Sequence, residues 1–162
     1  MFEFKQFSIQ QDRCAMKIGT DGVLLGAWVS LEKNPQSILD IGAGTGILSL
    51  QLAQRCQAET LEAIEIDEDA FEQCVGNFEN SPWGDRLFCF HASAQECAAE
   101  MEEEYDLIIS NPPFYSDEYK SNNNKRNTAR FTDTLAFRDL AIFAYQFLSE
   151  KGIFALILPR KE

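Results

Sequence analysis

The sequence predicts a single-domain α/β protein with a doubly wound, mainly parallel sheet. Five apolar runs typical of buried strands alternate with segments whose apolar residues recur at helical spacing, an order that produces parallel strands. A glycine-rich turn directly follows one of these runs. Since 162 residues suffice for one sizeable core, we assign 1–162 to one domain, with an N-terminal extension over 1–34 and a core over 35–162.

Composition and charge argue against several classes of protein. The chain carries 14 basic and 26 acidic side chains, a net charge of −12, so a broad nucleic-acid surface is excluded and only a local basic patch is expected. It has no apolar run of about 18 residues, and its N-terminus lacks the basic and apolar regions of a signal peptide. One histidine and five widely spaced cysteines predict reduced thiols in a cytoplasmic protein and no metal site.

The expected elements follow the chain in order. Alternating apolar residues predict a strand or hairpin near the N-terminus, and Thr20 or Asp21 is placed to cap a helix running to about residue 31. A strand precedes the glycine-rich turn and a helix follows it. The later strands are expected over 60–66, 87–91, 105–110 and 153–158, and the later helices over 68–79, 94–103 and 135–148. Because the last strand is too apolar for an exposed edge, we expect the natural protein to continue beyond Glu162.

The glycine-rich turn is the first candidate ligand site. Gly42, Gly44 and Gly46 let the backbone approach a ligand closely, and the helix behind them offers unpaired N–H groups. Their G-x-G-x-G spacing differs from the dinucleotide fingerprint, which needs a glycine where Ile47 stands, and no Gly-Lys-Ser/Thr ending marks a phosphate-binding loop. A glycine turn of some other α/β protein is the competing interpretation.

An acidic residue at the end of the following strand is the second candidate. Glu65 comes about twenty positions after the glycines, where a Rossmann-like fold holds a ribose diol. A carboxylate suits this role because it accepts two hydroxyl hydrogen bonds at once. A solvated carboxylate without a ligand is the alternative.

The segment Asn111-Pro112-Pro113-Phe114 is the third candidate and the one with catalytic chemistry. Two prolines make the backbone rigid and remove two N–H donors, so the segment is rich in acceptors. The side-chain oxygen of Asn111 and the carbonyl of Pro112 can each accept an N–H bond from a planar exocyclic amine, while Phe114 stacks on its ring. A proline-rigidified turn is the competing interpretation. His91, a lone histidine at a strand end, is interpreted as structural rather than as a base.

Three stretches resemble known enzymes. Residues 40–46 resemble the first motif of the Rossmann-like methyltransferases that bind S-adenosylmethionine (SAM), and Asn-Pro-Pro-Phe resembles the motif of enzymes that methylate adenine N6, cytosine N4 or a glutamine amide. Residues 4–7, 11–28 and 80–83 are similar to the bacterial enzymes that methylate N6 of the adenine beside the anticodon of valine tRNA. The similarity runs through essentially the whole chain.

The resemblance implies roles for particular residues. Phe114 would hold the target adenine together with Asn111 and the prolines. The cations Arg126 and Arg130, in a polar loop, would contact tRNA phosphate or stabilise the conformation of that loop. The residues implied in cofactor binding are Lys17, Gly19, Thr20 and Asp21 over the methionine part, Asp40, Gly42 and Gly44 around it, Glu65 at the ribose, the adjacent Ile66, Ser93 at the adenine, and Asn111.

Two departures from the family and three competing functions stay open at this point. Ser93 stands where the family often has an aspartate for the SAM adenine amine, and Phe131 stands where it often has a histidine. The competing functions are protein-glutamine methylation of the release-factor type, DNA adenine methylation, and SAM binding without catalysis. The acidic charge favours the first of these, although the helical N-terminal domain usual in those enzymes is not visible.

Overall fold

The computed structural model describes residues 1–100, 103–113 and 137–158. A short antiparallel hairpin near the N-terminus precedes a sheet of five parallel strands in the order β5-β4-β3-β6-β7. The predicted hairpin and parallel sheet are therefore confirmed. The strands are β1 (Phe2–Glu3), β2 (Ser8–Ile9), β3 (Ser37–Ile41), β4 (Thr60–Glu65), β5 (Leu87–His91), β6 (Tyr105–Ser110) and β7 (Leu148–Leu156).

Helices cover both faces of the sheet. The helices in the described ranges are α1 (Thr20–Trp28), α2 (Ile47–Arg55), α3 (Glu68–Glu79), α4 (Ala94–Glu100) and α5 (Phe137–Phe147). Ile38 of β3 is buried against α1, α2 and α3, whereas the next residue, Leu39, is buried against α4 and α5. Successive side chains of a strand point to opposite faces, so one apolar strand serves both cores. None of these helices is long and apolar enough to cross a membrane.

Several predicted boundaries are wrong. Helix α1 ends at Trp28 rather than near residue 31, and its N-cap is Gly19, without a side-chain hydrogen bond, rather than Thr20 or Asp21. The helix predicted over 94–103 does not reach residue 103, and its described part, α4, covers Ala94–Glu100. An exposed, capless helix start leaves backbone N–H groups for another partner.

The end of the sheet also differs from the sequence prediction. A helix that reaches residue 148 and a strand that begins at residue 153 are predicted, but α5 ends at Phe147 and β7 begins at Leu148, so Lys151 and Gly152 lie inside the strand. The pairing of β7 with β6 is irregular here, because the register shifts between Tyr105 and Leu107. A Cβ at Gly152 would lie 2.9 Å from the carbonyl oxygen of Tyr105, so glycine allows the two strands to approach at this irregularity.

Two partly buried sets of guanidinium hydrogen bonds tie helix ends to the rest of the protein. Arg55 donates to the carbonyls of Gly26 and Val29 at the end of α1, at 2.6 and 3.0 Å. Arg86 donates to the carbonyls of Ala53 and Cys56 near the end of α2, at 2.6 and 3.0 Å, and to Ala58. Cations at helix C-termini satisfy the last carbonyls and interact favourably with the helix dipole.

Candidate active site

The carboxyl ends of neighbouring parallel strands bring most predicted site residues to one edge of the sheet. Ile41 at the end of β3 pairs in register with Ile64 of β4 and with Ser110 of β6. Strand β4, the next strand along the chain, lies on one side of β3, and the later strand β6 lies on its other side. Open α/β sheets bind their ligands in the crevice at such a point, and we call it the ligand edge.

The glycine loop, residues 42–46, occupies the centre of the ligand edge. Gly44 and Gly46 have φ of 55° and 77°, in the left-handed region that side chains other than glycine rarely adopt. A Cβ on Gly44 would meet no atom within 4 Å, whereas one on Gly46 would lie 2.6 Å from Cε1 of Phe78. The space beside Gly44 is thus open to a ligand, while Gly46 is required for packing on α3.

The carboxylate of Glu65 is held by backbone N–H groups. Its Oε2 accepts a hydrogen bond from Gly44 at 2.7 Å, and its Oε1 accepts from Ile66 at 2.9 Å and from Asp67 at 3.0 Å. Each carboxylate oxygen can accept more than one hydrogen bond. The side chain therefore fixes the glycine loop to β4 and keeps acceptor capacity for a diol.

Asp40 is a fully buried carboxylate beside the glycine loop. Its Oδ2 accepts from the N–H and the Oγ of Ser49, at 3.2 and 2.8 Å, but its Oδ1 has no partner. Burial, which outweighs the Ser49 bonds, raises the pKa of Asp40 to about 7. An acceptor left without a donor in a folded interior lowers stability, and its chemistry fits a cofactor that carries an ammonium group.

Ile66 and His91 form the next part of the ligand edge. Ile66 is 44% exposed, which offers an apolar surface to a flat ring. His91 Nε2 lies 3.0 Å from the carbonyl oxygen of Ile66, and its ring stacks on Phe71 with a centroid distance of 5.2 Å. These contacts give His91 a structural role at the end of β5, as interpreted from the sequence.

Ser93 precedes helix α4 and makes three hydrogen bonds with Glu96 in its first turn. Its Oγ accepts from the N–H of Glu96 at 3.1 Å, and its own N–H and Oγ donate to Glu96 Oε2 at 2.8 and 2.7 Å. This is a capping box. One lone pair of Oγ remains for an adenine amine, where an aspartate would offer a whole carboxylate.

Asn111 follows β6 directly, at the same edge. The strand end is fixed by the Oγ of Ser110, which donates to the carbonyl of Ile41 at 2.8 Å. The next residue, Pro112, is buried. A Cβ on Gly22 of α1 would lie 3.4 Å from Nδ2 of Asn111, so the bare backbone of α1 borders the amide.

The start of α1 completes the arrangement around Asn111. Lys17, Gly19, Thr20 and Asp21 are all exposed and precede Gly22 directly. The N–H of Ile18 donates to Oε1 of Gln11 at 2.9 Å, which fixes the approach of this segment. The exposed position of residues 17–21 next to the ligand edge agrees with a segment that covers a cofactor.

The remaining predicted residues, Phe114, Arg126 and Arg130, lie outside the described residues. Sequence reasoning missed Ser49, which donates to Asp40, and Gly22, which leaves space beside Asn111. The available signal for Gly22 was the pair Gly22 and Gly26, four residues apart on one face of a helix. Ser49 carried none. No group of three or more His, Cys, Asp or Glu side chains in the described residues is arranged to hold a metal.

Known proteins share this sequence over nearly its whole length. The family model described as "Methyltransferase small domain" matches residues 19–157. A curated protein of Flavobacterium johnsoniae, named tRNA1(Val) (adenine(37)-N6)-methyltransferase, is 62% identical over 162 residues, which is 100% of this chain and 69% of that protein. A protein of the same name from Christiangramia forsetii is 63% identical over 99% of this chain and 68% of its own length.

This chain belongs to the tRNA1(Val) (adenine(37)-N6)-methyltransferase family. Solved structures agree on the fold. YjhP from E. coli matches with a TM-score of 0.58 and 16% identity, over 91% of this chain and 50% of that one. Protein arginine methyltransferase 10 of Arabidopsis thaliana matches with a TM-score of 0.55 and 21% identity, over 74% of this chain and 29% of that one. The class I methyltransferase fold predicted from the glycine loop is therefore confirmed.

Proposed function

We propose that this chain transfers the methyl group of SAM to N6 of an adenine in a tRNA anticodon loop, next to the anticodon of valine tRNA. The observation that carries the proposal is the position of Asn111 and Pro112 at the ligand edge, in a chain of this family. An acceptor-rich, rigid segment beside a glycine loop suits transfer to a planar amine. Family enzymes act inside the cell on tRNA, so we also propose a cytoplasmic location.

The residues at the ligand edge fit SAM. Asp40, with an unpartnered buried oxygen, and the open backbone at Gly42 and Gly44 suit the methionine part, and Glu65 suits the ribose. SAM supplies a methyl group on a sulfonium sulfur. The residues proposed to cover or line the rest of the cofactor are Lys17, Gly19, Thr20 and Asp21 over the methionine part, Ile66 and Ser93 at the adenine, and Asn111.

Asn111 and Pro112 would orient the amine that receives the methyl group. The Asn111 side-chain oxygen and the Pro112 carbonyl would accept hydrogen bonds from the two N–H groups of the exocyclic amine, which would turn the lone pair of its nitrogen out of the ring plane. Bound SAM would supply the methyl group, which would pass from the sulfonium sulfur to this nitrogen, and the methylated amine would lose its extra proton to water. No strong base is required, and positioning is the main contribution of the protein.

The acceptor would be a base outside a duplex. An anticodon loop presents unstacked bases, which proteins recognise by stacking and by hydrogen bonds to base edges. We assign the stacking to Phe114, next to Pro113, and phosphate contacts to Arg126 and Arg130. A local set of cations is compatible with an acidic chain.

The direct test is methyl transfer from labelled SAM to total tRNA, with a release-factor protein and duplex DNA as parallel acceptors. We expect label in tRNA only, located by nucleoside analysis as N6-methyladenosine. Label in the protein acceptor would instead favour glutamine methylation, which the same acceptor geometry could serve. SAM binding without label in any acceptor would contradict the proposal.

A further inference from the structure

A buried asparagine of α3 connects the glycine loop to the N-terminal part of the chain. Asn77 is 3% exposed. Its Nδ2 donates to the carbonyl of Thr45, inside the glycine loop, and to the carbonyl of Gln10, both at 2.9 Å. Its Oδ1 accepts from the N–H of Gln10 at 2.8 Å. A single side chain thus bonds to two backbone segments that have no bond to each other among the described contacts.

The chemistry of these partners requires an amide at position 77. Two carbonyl oxygens face Nδ2 and one N–H faces Oδ1, so both donors and one acceptor of the side chain are used. A carboxylate of the same shape would place an oxygen against the carbonyls of Thr45 and Gln10. An apolar side chain would leave three backbone groups without these hydrogen bonds, and the bond to the Thr45 carbonyl is a buried one.

A second amide one turn earlier extends the contact. The segment that we call the N-terminal strap, residues 10–18, runs along α3 toward the ligand edge. Oε1 of Gln73 accepts from the N–H groups of Arg13 and Cys14 at 2.8 and 3.3 Å, and its Nε2 donates to Asp12 at 3.1 Å. Gln73 and Asn77 are four residues apart and therefore lie on the same face of α3.

The strap ends at Ile18, and the chain continues through Gly19, Thr20 and Asp21 to Gly22, where a Cβ would lie 3.4 Å from Nδ2 of Asn111. Oε1 of Gln11, next to the residue that Asn77 holds, accepts from the N–H of Ile18 at 2.9 Å. Continuous contacts thus run from Thr45 in the glycine loop, through Asn77 and residues 10–11, to the segment proposed to cover SAM. Glu65 fixes the same loop from its other side, through Gly44.

We propose that Asn77 is a positioning residue for SAM binding, because it sets the distance between the glycine loop and the segment that covers the cofactor. It does not touch the cofactor. The inference rests on the proposed use of SAM and adds to it a residue outside the ligand edge. Loss of the Asn77 contacts should therefore affect SAM more than the methyl acceptor.

The test compares Asn77→Asp with Asn80→Asp. The second variant makes the same exchange at the end of the same helix, where Nδ2 of Asn80 donates to the carbonyl of Gly76 in an exposed hydrogen bond. We expect the SAM dissociation constant of Asn77→Asp to rise by about tenfold or more, on the scale of lost buried hydrogen bonds. The KM of Asn77→Asp for tRNA and the SAM affinity of Asn80→Asp should both stay within twofold of the wild-type values. General damage to the fold would not produce this pattern.

Limited trypsin digestion of the SAM-free protein provides a second readout. Cleavage after Arg13 and Lys17 should be faster in Asn77→Asp than in the wild type and in Asn80→Asp, because one of the two amides that hold the strap has lost its bonds. If Asn77→Asp does not fold, Asn77→Ala removes the same bonds without adding charge and is measured instead.

Two results separate this inference from the proposed function. A wild-type protein that binds no SAM overturns the proposed function, and the digestion then still tests whether Asn77 holds the strap. A wild type that binds SAM, with folded Asn77 variants whose SAM affinity stays within twofold, overturns the positioning role alone.

Discussion

Oε2 of Glu65 lies 2.7 Å from the backbone nitrogen of Gly44, so the residue proposed to bind ribose also shapes the loop proposed to bind methionine. Residue 44 has φ of 55°, in the left-handed region that glycine adopts without strain, and the space beside it is open. The two parts of the proposed cofactor site are thus linked before any ligand is present.

Replacement of Glu65 by alanine should weaken SAM binding by about 1–3 kcal/mol, the scale for hydrogen bonds to a charged group. The change removes the carboxylate proposed to accept hydrogen bonds from the ribose diol, and it also removes the hydrogen bond that holds Gly44. Calorimetric titration with SAM measures the loss, with the exposed Glu68→Ala as a control in the next helix. An affinity equal to the wild type would remove the ribose assignment.

Replacement of Asn111 by alanine should lower kcat by about 100-fold or more, the scale for loss of one preorganised polar contact in a transition state. SAM binding should change no more than a few-fold. Asn111→Asp keeps an acceptor oxygen and should retain more activity than Asn111→Ala. Single-turnover methyl transfer to tRNA measures both variants, and transfer that survives in Asn111→Ala would contradict the amine-acceptor role.

Replacement of Asp40 by asparagine should increase stability above pH 7 in the absence of SAM. Its pKa is raised from 3.8 to about 7 in the folded protein, so between these values the folded state keeps a proton that the unfolded chain has lost. The free energy of unfolding therefore falls as pH rises from about 4 to 7, and the full penalty remains above pH 7. Asparagine has no such titration.

Urea unfolding at pH 5 and pH 8 measures this difference. The gain of Asp40→Asn over the wild type should be larger at pH 8, on the order of 1–3 kcal/mol, while SAM affinity falls. The exposed Asp85→Asn is the matched control and should show no such trend. Equal gains at the two pH values would show that Asp40 is ionised throughout.

Replacement of Arg86 by alanine should lower the free energy of unfolding by about 1–3 kcal/mol, because the carbonyls of Ala53, Cys56 and Ala58 lose a charged donor. SAM affinity should remain unchanged, since these contacts lie at the far end of α2 from the glycine loop. Thermal unfolding and SAM titration measure the two effects. A loss of SAM affinity without a loss of stability would contradict the assignment of Arg86 to the scaffold.

Local sequence patterns predicted β3 and the position of Glu65. The apolar run before Gly42 is β3, and Glu65 lies at the end of β4 as expected from its spacing after the glycines. The start of β7 was missed because Lys151 and Gly152 are typical of a helix end, whereas here an irregular pairing with Tyr105 accommodates them. Tertiary pairing overrides local preference at such positions.

Contacts between distant parts of the chain left no local signal. The bonds of Asn77 to residue 10 span 67 positions, and a single asparagine in a helix carries no sign of its partner. The same is true of Gly22, whose neighbour Asn111 comes far later in the sequence. Spacing and periodicity report which face is apolar, but not which segment lies against it.

The contact between Asn77 and the strap also sets an order of assembly during synthesis. Residues 10–14 leave the ribosome long before Gln73 and Asn77, which hold their backbone groups. Until residues 69–77 have emerged, residues 10–14 lack their partners on α3. The strap therefore docks on this helix only after β3, α2 and β4 have been made.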